Sequence, residues 1–349
     1  MIAKPYIAKW QDHAPWKQFY QVEQDLIISR ALIKIFSDDF LRENLAFRGG
    51  TALHKLYLDP APRYSEDIDL VQIKAGPIKP IMKRLQEVIT FFEEPRKTQV
   101  KGHGAKALYR FTSEYEGIRL RLKLEINCKE HFNVLDWVDF PFEVDSEWFS
   151  GKAKIKTYSI NELLGTKLRA LYQRSKGRDL FDLDYSRLNM ELNLDQIIEC
   201  FKEYTTFSTG NRPPSKKEFL LNIEEKEQNP EFTGDMEALL RSSVEYNQEA
   251  AFEWLKNELI DKMAEAKVII SIPEGKLRDY IDGTIRPDTP EEYVRQTVEK
   301  RLINEHKYLK EQIKIEYGVQ MGSGKKRADI VIFQEDATDE EKKDQHNIN

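Results

Sequence analysis

Cysteine is scarce in this chain, and long apolar runs are missing. Only Cys128 and Cys200 occur among the 349 residues; they lie far apart, which excludes a disulfide-rich scaffold and offers no metal-ligand spacing. No window holds the roughly 18 consecutive apolar residues needed to cross a bilayer, and residues 1–10 hold no apolar run of secretory length. We therefore expect a cytoplasmic protein that does not engage the membrane.

Positive charge is not in excess either. The 54 basic and 60 acidic residues give a net charge of −6, which excludes a protein that attracts nucleic acid over its whole surface. Any contact with RNA or DNA must be local. The hydrophobic content of 40% is enough to bury a sizeable core, in a chain long enough for two domains or one domain plus an appendage.

The first half of the chain mixes helix and strand signals. Apolar residues at helical spacing in residues 18–40 predict an amphipathic helix. Residues 45–57 predict a strand, a tight turn and a helix in that order, and residues 67–73 predict a second strand. Strict alternation of apolar and charged residues over residues 118–126 predicts a strand with one buried face.

The second half is predicted to be helical. After a strand at residues 154–158, which we place at a sheet edge, Ser159 is suited to cap a helix whose core stripe contains Leu164, Leu168 and Leu171. Further segments with helical periodicity are residues 179–188, 194–204, 216–225 and 236–263.

Beyond residue 270 the pattern changes. Thr289 is suited to start a new helix with the apolar stripe Val294, Val298 and Leu302, and strands are expected at residues 313–317 and 327–333. The last sixteen residues, from Gln334, contain six acidic and two basic residues and almost no apolar ones, so we expect a disordered tail.

These patterns predict an α+β fold: a mixed sheet with flanking helices, a helical second half and a small α/β C-terminal segment. The expected divisions are residues 1–160 for the α/β core, 161–268 for the helical domain of the same module, 276–333 for the C-terminal segment and 334–349 for the tail.

An acidic pair is the first candidate for chemistry. Asp67 and Asp69 lie two residues apart on a predicted strand, so both carboxylates project from one face. Mg²⁺ would neutralise this charge, because it prefers carboxylate oxygens and keeps room for substrate phosphates. Glu125 ends the polar face of its own strand, where it is either a third metal ligand or part of a solvated face.

A glycine turn precedes the acidic pair. Gly49, Gly50 and Thr51 lie where a predicted strand turns into a helix, so backbone N–H groups can approach a phosphate closely. Lys55, one turn into that helix, is expected to reach the same phosphate. We therefore assign these four residues to nucleotide binding.

Four segments, in this order, resemble the motifs of the AbiEii family of bacterial toxins. They are FRGGTALHK at residues 47–55, RYSEDIDL at 63–70, KLRAL at 167–171 and RDLFD at 178–182. The resemblance covers roughly residues 20–260. It implies a nucleotidyltransferase core similar to that of DNA polymerase β, followed by a helical half.

The resemblance also implies a function. It suggests a toxin of an abortive-infection, type IV toxin–antitoxin system acting in phage defence, with a cognate antitoxin as partner. Such a toxin would transfer NMP from an NTP to a nucleic-acid hydroxyl, and we expect this hydroxyl to be at the acceptor end of tRNA. Asp67 and Asp69 would bind the metal, Lys167 would contact nucleotide phosphate, and Asp179 would be an acidic residue required for activity.

Residue spacing leaves several of these roles open. Lys167 and Arg174 share a helical face and either point at a triphosphate or form a snorkelling rim beside the core. Arg178 and Asp182 are four residues apart and are expected to pair on the helix surface. His54, in the helix after the glycine turn, is the histidine that we would mutate first.

The C-terminal segment resembles a different family. Residues 289–333 are similar to the start of the nuclease-like N-terminal domain of type I restriction subunits, which makes Asp329 the first metal-binding acid and calls for a strand with Glu-x-Lys after it. Residues 341–343 fit that formula in a polar run unsuited to a strand, so we expect an inactive nuclease part, as a fusion, a truncation or a binding appendage. The basic residues 325–327 are expected in a loop, either touching nucleic acid or solvated.

Two other functions compete with the toxin. The same acidic pair would serve a nucleotidyltransferase that modifies a small molecule. Alternatively, the chain is a non-catalytic DNA-binding or assembly module of a restriction system. The destination of a labelled nucleotide separates these hypotheses.

Overall fold

A computed structural model describes residues 2–102, 104–236, 238–263, 275–321 and 324–334. The chain divides into two compact units, residues 1–266 and 267–349. The predicted tail lies outside the described residues except for Gln334.

The first unit is built on a seven-stranded mixed sheet with the strand order β3-β4-β5-β2-β1-β7-β6. Strand β2 is antiparallel to β1 and parallel to β5, and β1 is parallel to β7. The predicted mixed sheet is therefore confirmed. The strands are β1 Leu45–Arg48, β2 Asp67–Gln72, β3 Lys97–Lys101, β4 Gly104–Thr112, β5 Arg119–Asn127, β6 Val138–Asp145 and β7 Ser150–Thr157.

Helices flank this sheet and make up the second half of the unit. Within the described residues, no helix combines the length and apolarity needed to cross a membrane. The helices are α1 Lys4–Trp10, α2 Phe19–Phe36, α3 Asp39–Asn44, α4 Gly49–Ala52 continued by a π-helical turn at Leu53–Tyr57, α5 Ile78–Val88, α6 Ile160–Gln173, α7 Gly177–Asn189, α8 Leu194–Thr209, α9 Lys216–Glu227, α10 Pro230–Thr233 and α11 Gln248–Trp254.

The two faces of the sheet carry different kinds of side chain, apolar on one face and charged on the other. Ile68 and Leu70 of β2 are buried in one core with Leu122 and Leu124 of β5 and with apolar residues of α2 and α5. Because side chains alternate along a strand, the residues between them point to the other face. That face carries the charged residues of β2 and β5, and the helical half begins with α6.

Strand β7 corrects one prediction. It lies between β1 and β6 and is not at the sheet edge. The edge is β6, which the sequence analysis did not predict. Pro141 interrupts the pattern of β6, and a proline, which lacks an N–H to donate, is tolerated in a strand only at such an edge.

The segment predicted as one helix over residues 236–263 is also different. Of its described residues, 236 and 238–263, only α11 and the short turns Leu255–Leu259 and Ile260–Lys262 are helical. The preceding residues form a bridge to the loop before β2, in which the N–H of Tyr64 donates to the carbonyl of Leu239 over 2.9 Å. Pairing with a distant segment thus overrides the local helical periodicity.

The second unit contains helix α12 Pro290–Asn304, the short strands β8 Lys276–Arg278 and β9 Ile285–Pro287, and the hairpin of β10 Ile313–Met321 and β11 Gly324–Ile332. Thr289 caps α12 as predicted, since its Oγ1 accepts from the N–H of Glu292. Residues 325–327 lie in β11, so their prediction as a loop is wrong.

The predicted core stripe of α12 is wrong as well. Val294 is 61% exposed and Val298 is 42% exposed, whereas Gln296 and Glu299 are buried. Arg295 on the buried side forms ion pairs with Asp279, and these charged contacts, which helical periodicity does not reveal, set which face is covered.

A glycine on α6 provides a test of the packing between α6 and α8. A Cβ at Gly165 would lie 2.4 Å from the Cβ of Cys200 and 2.9 Å from the carbonyl oxygen of Ile197. We expect Gly165→Ala to lower the free energy of unfolding by about 1–3 kcal/mol, as overpacking does. Chemical denaturation measures this; a gain of about 1 kcal/mol, which helix propensity alone would give, would contradict the close packing.

Candidate active site

The cleft of the first unit is a cavity of about 1040 Å³ on the charged face of the sheet. The acidic pair, the glycine turn and α6 all contribute to its wall. Its lining includes eight basic and four acidic side chains, so basic residues outnumber acidic ones in the wall, in a protein of negative net charge. The basic residues are Arg48, Arg63, Lys106, Lys123, Lys167, Arg169, Arg174 and Arg178, and the acidic ones are Glu66, Asp67, Asp69 and Glu125.

The acidic pair lies in this wall on one face of β2. In the parallel pairing of β2 with β5, Asp67 is opposite Lys123 and Asp69 is opposite Glu125. The Nζ of Lys123 is 2.7 Å from Oδ2 of Asp67 and 3.3 Å from Oε1 of Glu125. Burial, and then the charge of Asp67, raise the pKa of Asp69.

The donor set suits a divalent cation. Two carboxylates share one face, and burial, followed by the neighbouring charge of Asp67, raises the pKa of Asp69. Oxygen ligands of this kind are those that Mg²⁺ prefers. Among the described residues, no group of three His, Cys, Asp or Glu side chains is close enough to hold a metal ion as it stands. Glu125 also accepts from Lys106 over 2.7 Å, so its role as a third ligand stays a prediction.

The glycine turn is packed against the acidic pair. Gly49 has φ of +80°, and a Cβ there would lie 2.4 Å from Oδ2 of Asp69, so only glycine fits. Thr51 is buried behind the turn, with its Oγ1 2.8 Å from Oγ of Ser65 and also bonded to the carbonyl of Asp67. Gly49 and Gly50 therefore line the cavity, while Thr51 ties the turn to β2.

Lys55 lies elsewhere. Its Nζ is 2.6 Å from Oδ2 of Asp25 on α2, and both side chains are largely buried. Lys55 is not part of the cavity wall. A phosphate contact by Lys55 would require breaking this ion pair.

A fully buried carboxylate, Asp182, joins the motif segments. Arg63 donates to it through Nε and Nη2, each over 2.7 Å, and Nζ of Lys167 lies 2.8 Å from Oδ2. His54 contributes a third contact of 3.0 Å through Nε2. The prediction that Asp182 pairs with Arg178 on the helix surface is therefore wrong.

The charge states around Asp182 follow from burial and from these contacts. Burial alone would raise the pKa of Asp182, but Arg63, Lys167 and His54 hold it well below its usual range. Burial and the charge of Arg63 lower the pKa of His54 to about 4, so the imidazole is neutral near pH 7. Asp182 thus stays ionised and compensates two buried cations.

Lys167, Asp179 and Arg174 form a second set of contacts at the cleft. Nζ of Lys167 is 3.2 Å from Oδ1 of Asp179, and Arg174 donates to both oxygens of Asp179 over 2.7 and 2.8 Å. The Lys167 side chain is 9% exposed and lines the cavity, so it is not a snorkelling rim. Asp179 is buried and contacts both basic residues, and its requirement for activity stays a prediction.

Behind the glycine turn, Glu130 joins Arg48 to Arg169. Nη1 of Arg48 is 2.5 Å from Oε2 of Glu130, and Nη1 of Arg169 is 2.6 Å from Oε1. Burial would raise the pKa of Glu130, yet the two arginines lower it to about 2. The sequence analysis missed this link and Arg63, because the partners are separated by tens of residues and share no periodicity.

Comparison with known families agrees with this geometry. Residues 30–258, well over half of the chain, match the family model for the nucleotidyl transferase AbiEii toxin of type IV toxin–antitoxin systems. Residues 290–342 match the model for the N terminus of the type I restriction enzyme R protein. No curated protein matches the chain.

Solved structures show a similar fold. MenT4, the nucleotidyltransferase toxin Rv2826c from Mycobacterium tuberculosis H37Rv, is 17% identical, with 74% of this chain and 90% of that chain covered and a TM-score of 0.53. JHP933 from Helicobacter pylori is 20% identical, with 68% and 89% covered and a TM-score of 0.44. The likeness to MenT4 supports the predicted nucleotidyltransferase fold.

The link through Glu130 predicts a pH dependence of stability. Because its pKa is lower in the folded state than the usual 4.5, its contribution is complete above about pH 4.5 and is lost as the pH falls towards 2. Glu130→Gln should lower the free energy of unfolding at pH 7 by about 3 kcal/mol, since it leaves the largely buried Arg48 and Arg169 without their ion-pair partner.

Denaturant unfolding of both proteins across pH 7 to 3 measures this contribution. The difference between wild type and Glu130→Gln should shrink below pH 4.5. A difference that stays constant down to pH 3 would show that the carboxylate charge is not what stabilises the turn.

Proposed function

The chain belongs to the AbiEii family of nucleotidyltransferase toxins of type IV toxin–antitoxin systems, and from this premise we propose that its cleft transfers NMP from an NTP to a hydroxyl of RNA. The acceptor we favour is the 3′ end of tRNA, and the cofactor is Mg²⁺ held by Asp67 and Asp69. The observation that carries the proposal is the position of this pair in the wall of a cavity rich in basic side chains.

The reaction needs positioning more than covalent chemistry. The oxygen of the acceptor hydroxyl attacks the α-phosphorus and its proton passes to solvent. The bond from this phosphorus to the oxygen shared with the β-phosphate breaks, and pyrophosphate leaves. When bound, Mg²⁺ neutralises the phosphate charge and orients the oxygens of the displacement. Glu125, beside Asp69, is our candidate for a third ligand.

The remaining residues of the site hold the nucleotide. Lys167 and Arg174 reach into the cavity and offer positive charge to the triphosphate, and Asp179 fixes both of them. The N–H groups at Gly49 and Gly50 approach a phosphate without steric hindrance. These residues orient the nucleotide, and the proposed reaction does not require any of them to form a covalent bond with it.

The family also sets the context. A type IV toxin–antitoxin family implies a cognate antitoxin and an NTP substrate, and we extend this to abortive infection as a defence against phage. We assign the activity to residues 1–160 and 161–268 as one module. The segment 276–333 is an accessory with an inactive nuclease-like part, in which Asp329 is exposed on β11.

A transfer assay tests the proposal. Purified protein is incubated with Mg²⁺, each α-labelled NTP and bulk tRNA, and the products are separated on a denaturing gel. We expect label in tRNA with the wild type, none after chelation of the metal, and at least 100-fold less with Asp67→Asn or Asp69→Asn, because each removes charge that the metal requires.

The matched control is Asp139→Asn, which makes the same change at an exposed residue of β6 paired with Lys156. It should leave the rate within twofold of wild type. Label in small molecules would replace the RNA acceptor with a small-molecule one, and no label with any NTP would favour the non-catalytic module.

A further inference from the structure

A basic surface continues from the cleft across the outer strands of the sheet. We propose that this surface, formed by Lys97 of β3, Lys106 and Arg110 of β4, and Arg121 of β5, binds the sugar-phosphate backbone of the RNA acceptor. We refer to these four residues as the basic sheet face. The inference rests on the proposed function and adds to it the place where the acceptor lies.

The strand register puts these side chains on the same face as the acidic pair. One row of residues in register crosses the four strands β2, β5, β4 and β3. Its members are Asp67, Lys123, Leu108 and Lys97 in that order. In the next row, Arg121 is paired with Arg110. Paired residues point to the same side of a sheet, so the basic sheet face is continuous with the acidic pair.

The dimensions suit a nucleic-acid strand. Three steps of about 4.8 Å between neighbouring strands separate the backbone at Asp67 from that at Lys97, a distance of about 14 Å. Same-face residues along one strand are about 6.6 Å apart. Several consecutive phosphates of an RNA strand can therefore contact the face while its terminal hydroxyl lies at the acidic pair.

Three of the four charges on this face are available to a ligand. Lys97 and Arg121 are exposed, and Arg110 is partly exposed. Within the part of the chain that the structure describes, none of these three has an ion-pair partner. Lys106, which lines the cavity, is paired with Glu125 and would exchange this partner for a phosphate. The neighbouring Arg119 is paired with Glu94, does not line the cavity and is left out of the proposal.

Charge complementarity selects the partner. The chain has a net charge of −6, so a run of four cations beside the cleft, three of them without an ion-pair partner among the described residues, is a local departure from the average surface. Free NTP needs only the cavity, whereas a polyanion longer than one nucleotide extends beyond it. A protein antitoxin is the competing occupant, and it becomes an outcome of the test.

The test reverses charge outside the cleft wall. Lys97→Glu/Arg110→Glu changes two residues that do not line the cavity. The matched control, Lys79→Glu/Lys83→Glu, makes the same charge change on α5, whose apolar residues pack against the opposite face of the sheet. Both pairs are made in wild type and in Asp69→Asn, so that binding is measured apart from catalysis.

Anisotropy of fluorescein-labelled bulk tRNA gives the binding constants at several salt concentrations. We expect the Lys97/Arg110 variant to bind tRNA at least tenfold more weakly at low salt. The negative slope of the logarithm of the binding constant against the logarithm of the salt concentration should become shallower by about one to two, because two phosphate contacts are lost. The control should bind within twofold of its parent, and the Kd of a fluorescent NTP should not change.

The outcomes separate this inference from the proposed function. If wild type labels tRNA and the Lys97/Arg110 variant binds and labels it like the control, the basic sheet face is wrong and the function stands. If no transfer occurs but the variant still loses tRNA binding, the surface stands and the function fails. The inference is also overturned if the wild type does not bind tRNA. It is overturned as well if the Lys97/Arg110 variant loses binding of the antitoxin while its binding of tRNA is unchanged.

Discussion

The buried carboxylate of Asp182 is the interaction on which the site depends. An ionised carboxylate without solvent is unfavourable unless cations and hydrogen bonds compensate it. Here the compensation comes from three separate places: Arg63 in the loop before β2, His54 after the glycine turn and Lys167 on α6. One charge requirement thus brings all four motif segments together.

The rest of the cleft follows from that constraint. Once Arg63 is fixed, the loop before β2 is fixed, and Thr51 ties the glycine turn to the carbonyl of Asp67. The link from Glu130 to Arg48 supports the same turn from behind. Asp67 and Asp69 are therefore held against the turn by contacts that are electrostatic and rigid, which is what transfer by positioning needs.

Part of this arrangement was predictable from sequence. Alternation in β2 predicted that Asp67 and Asp69 share one face, and the order of the motifs predicted the family. The partners of Asp182 and Glu130 were not predictable, because a charged residue carries no periodic signal that names its counter-ion. The local pattern predicted the wrong buried face of α12, where Val294 is exposed, because ion pairs with distant residues decide which face is covered. Helical spacing also predicted a surface pair between Arg178 and Asp182, which the structure does not contain.

Unfolding of Asp182→Asn is the most direct test of this account, with Asp184→Asn as the matched control. Asp184 is on the same helix and is also buried, and among the described residues its ion-pair partner is Arg187, three residues away. Burial raises the pKa of Asp184, so its charge costs free energy in the folded state that the amide of Asn does not cost. Our account predicts that Asp182→Asn lowers the free energy of unfolding by about 3–5 kcal/mol and weakens NTP binding, while the control loses about 1 kcal/mol at most, the value of a single hydrogen bond. A loss for Asp182→Asn no larger than for Asp184→Asn, with NTP binding intact, would contradict it.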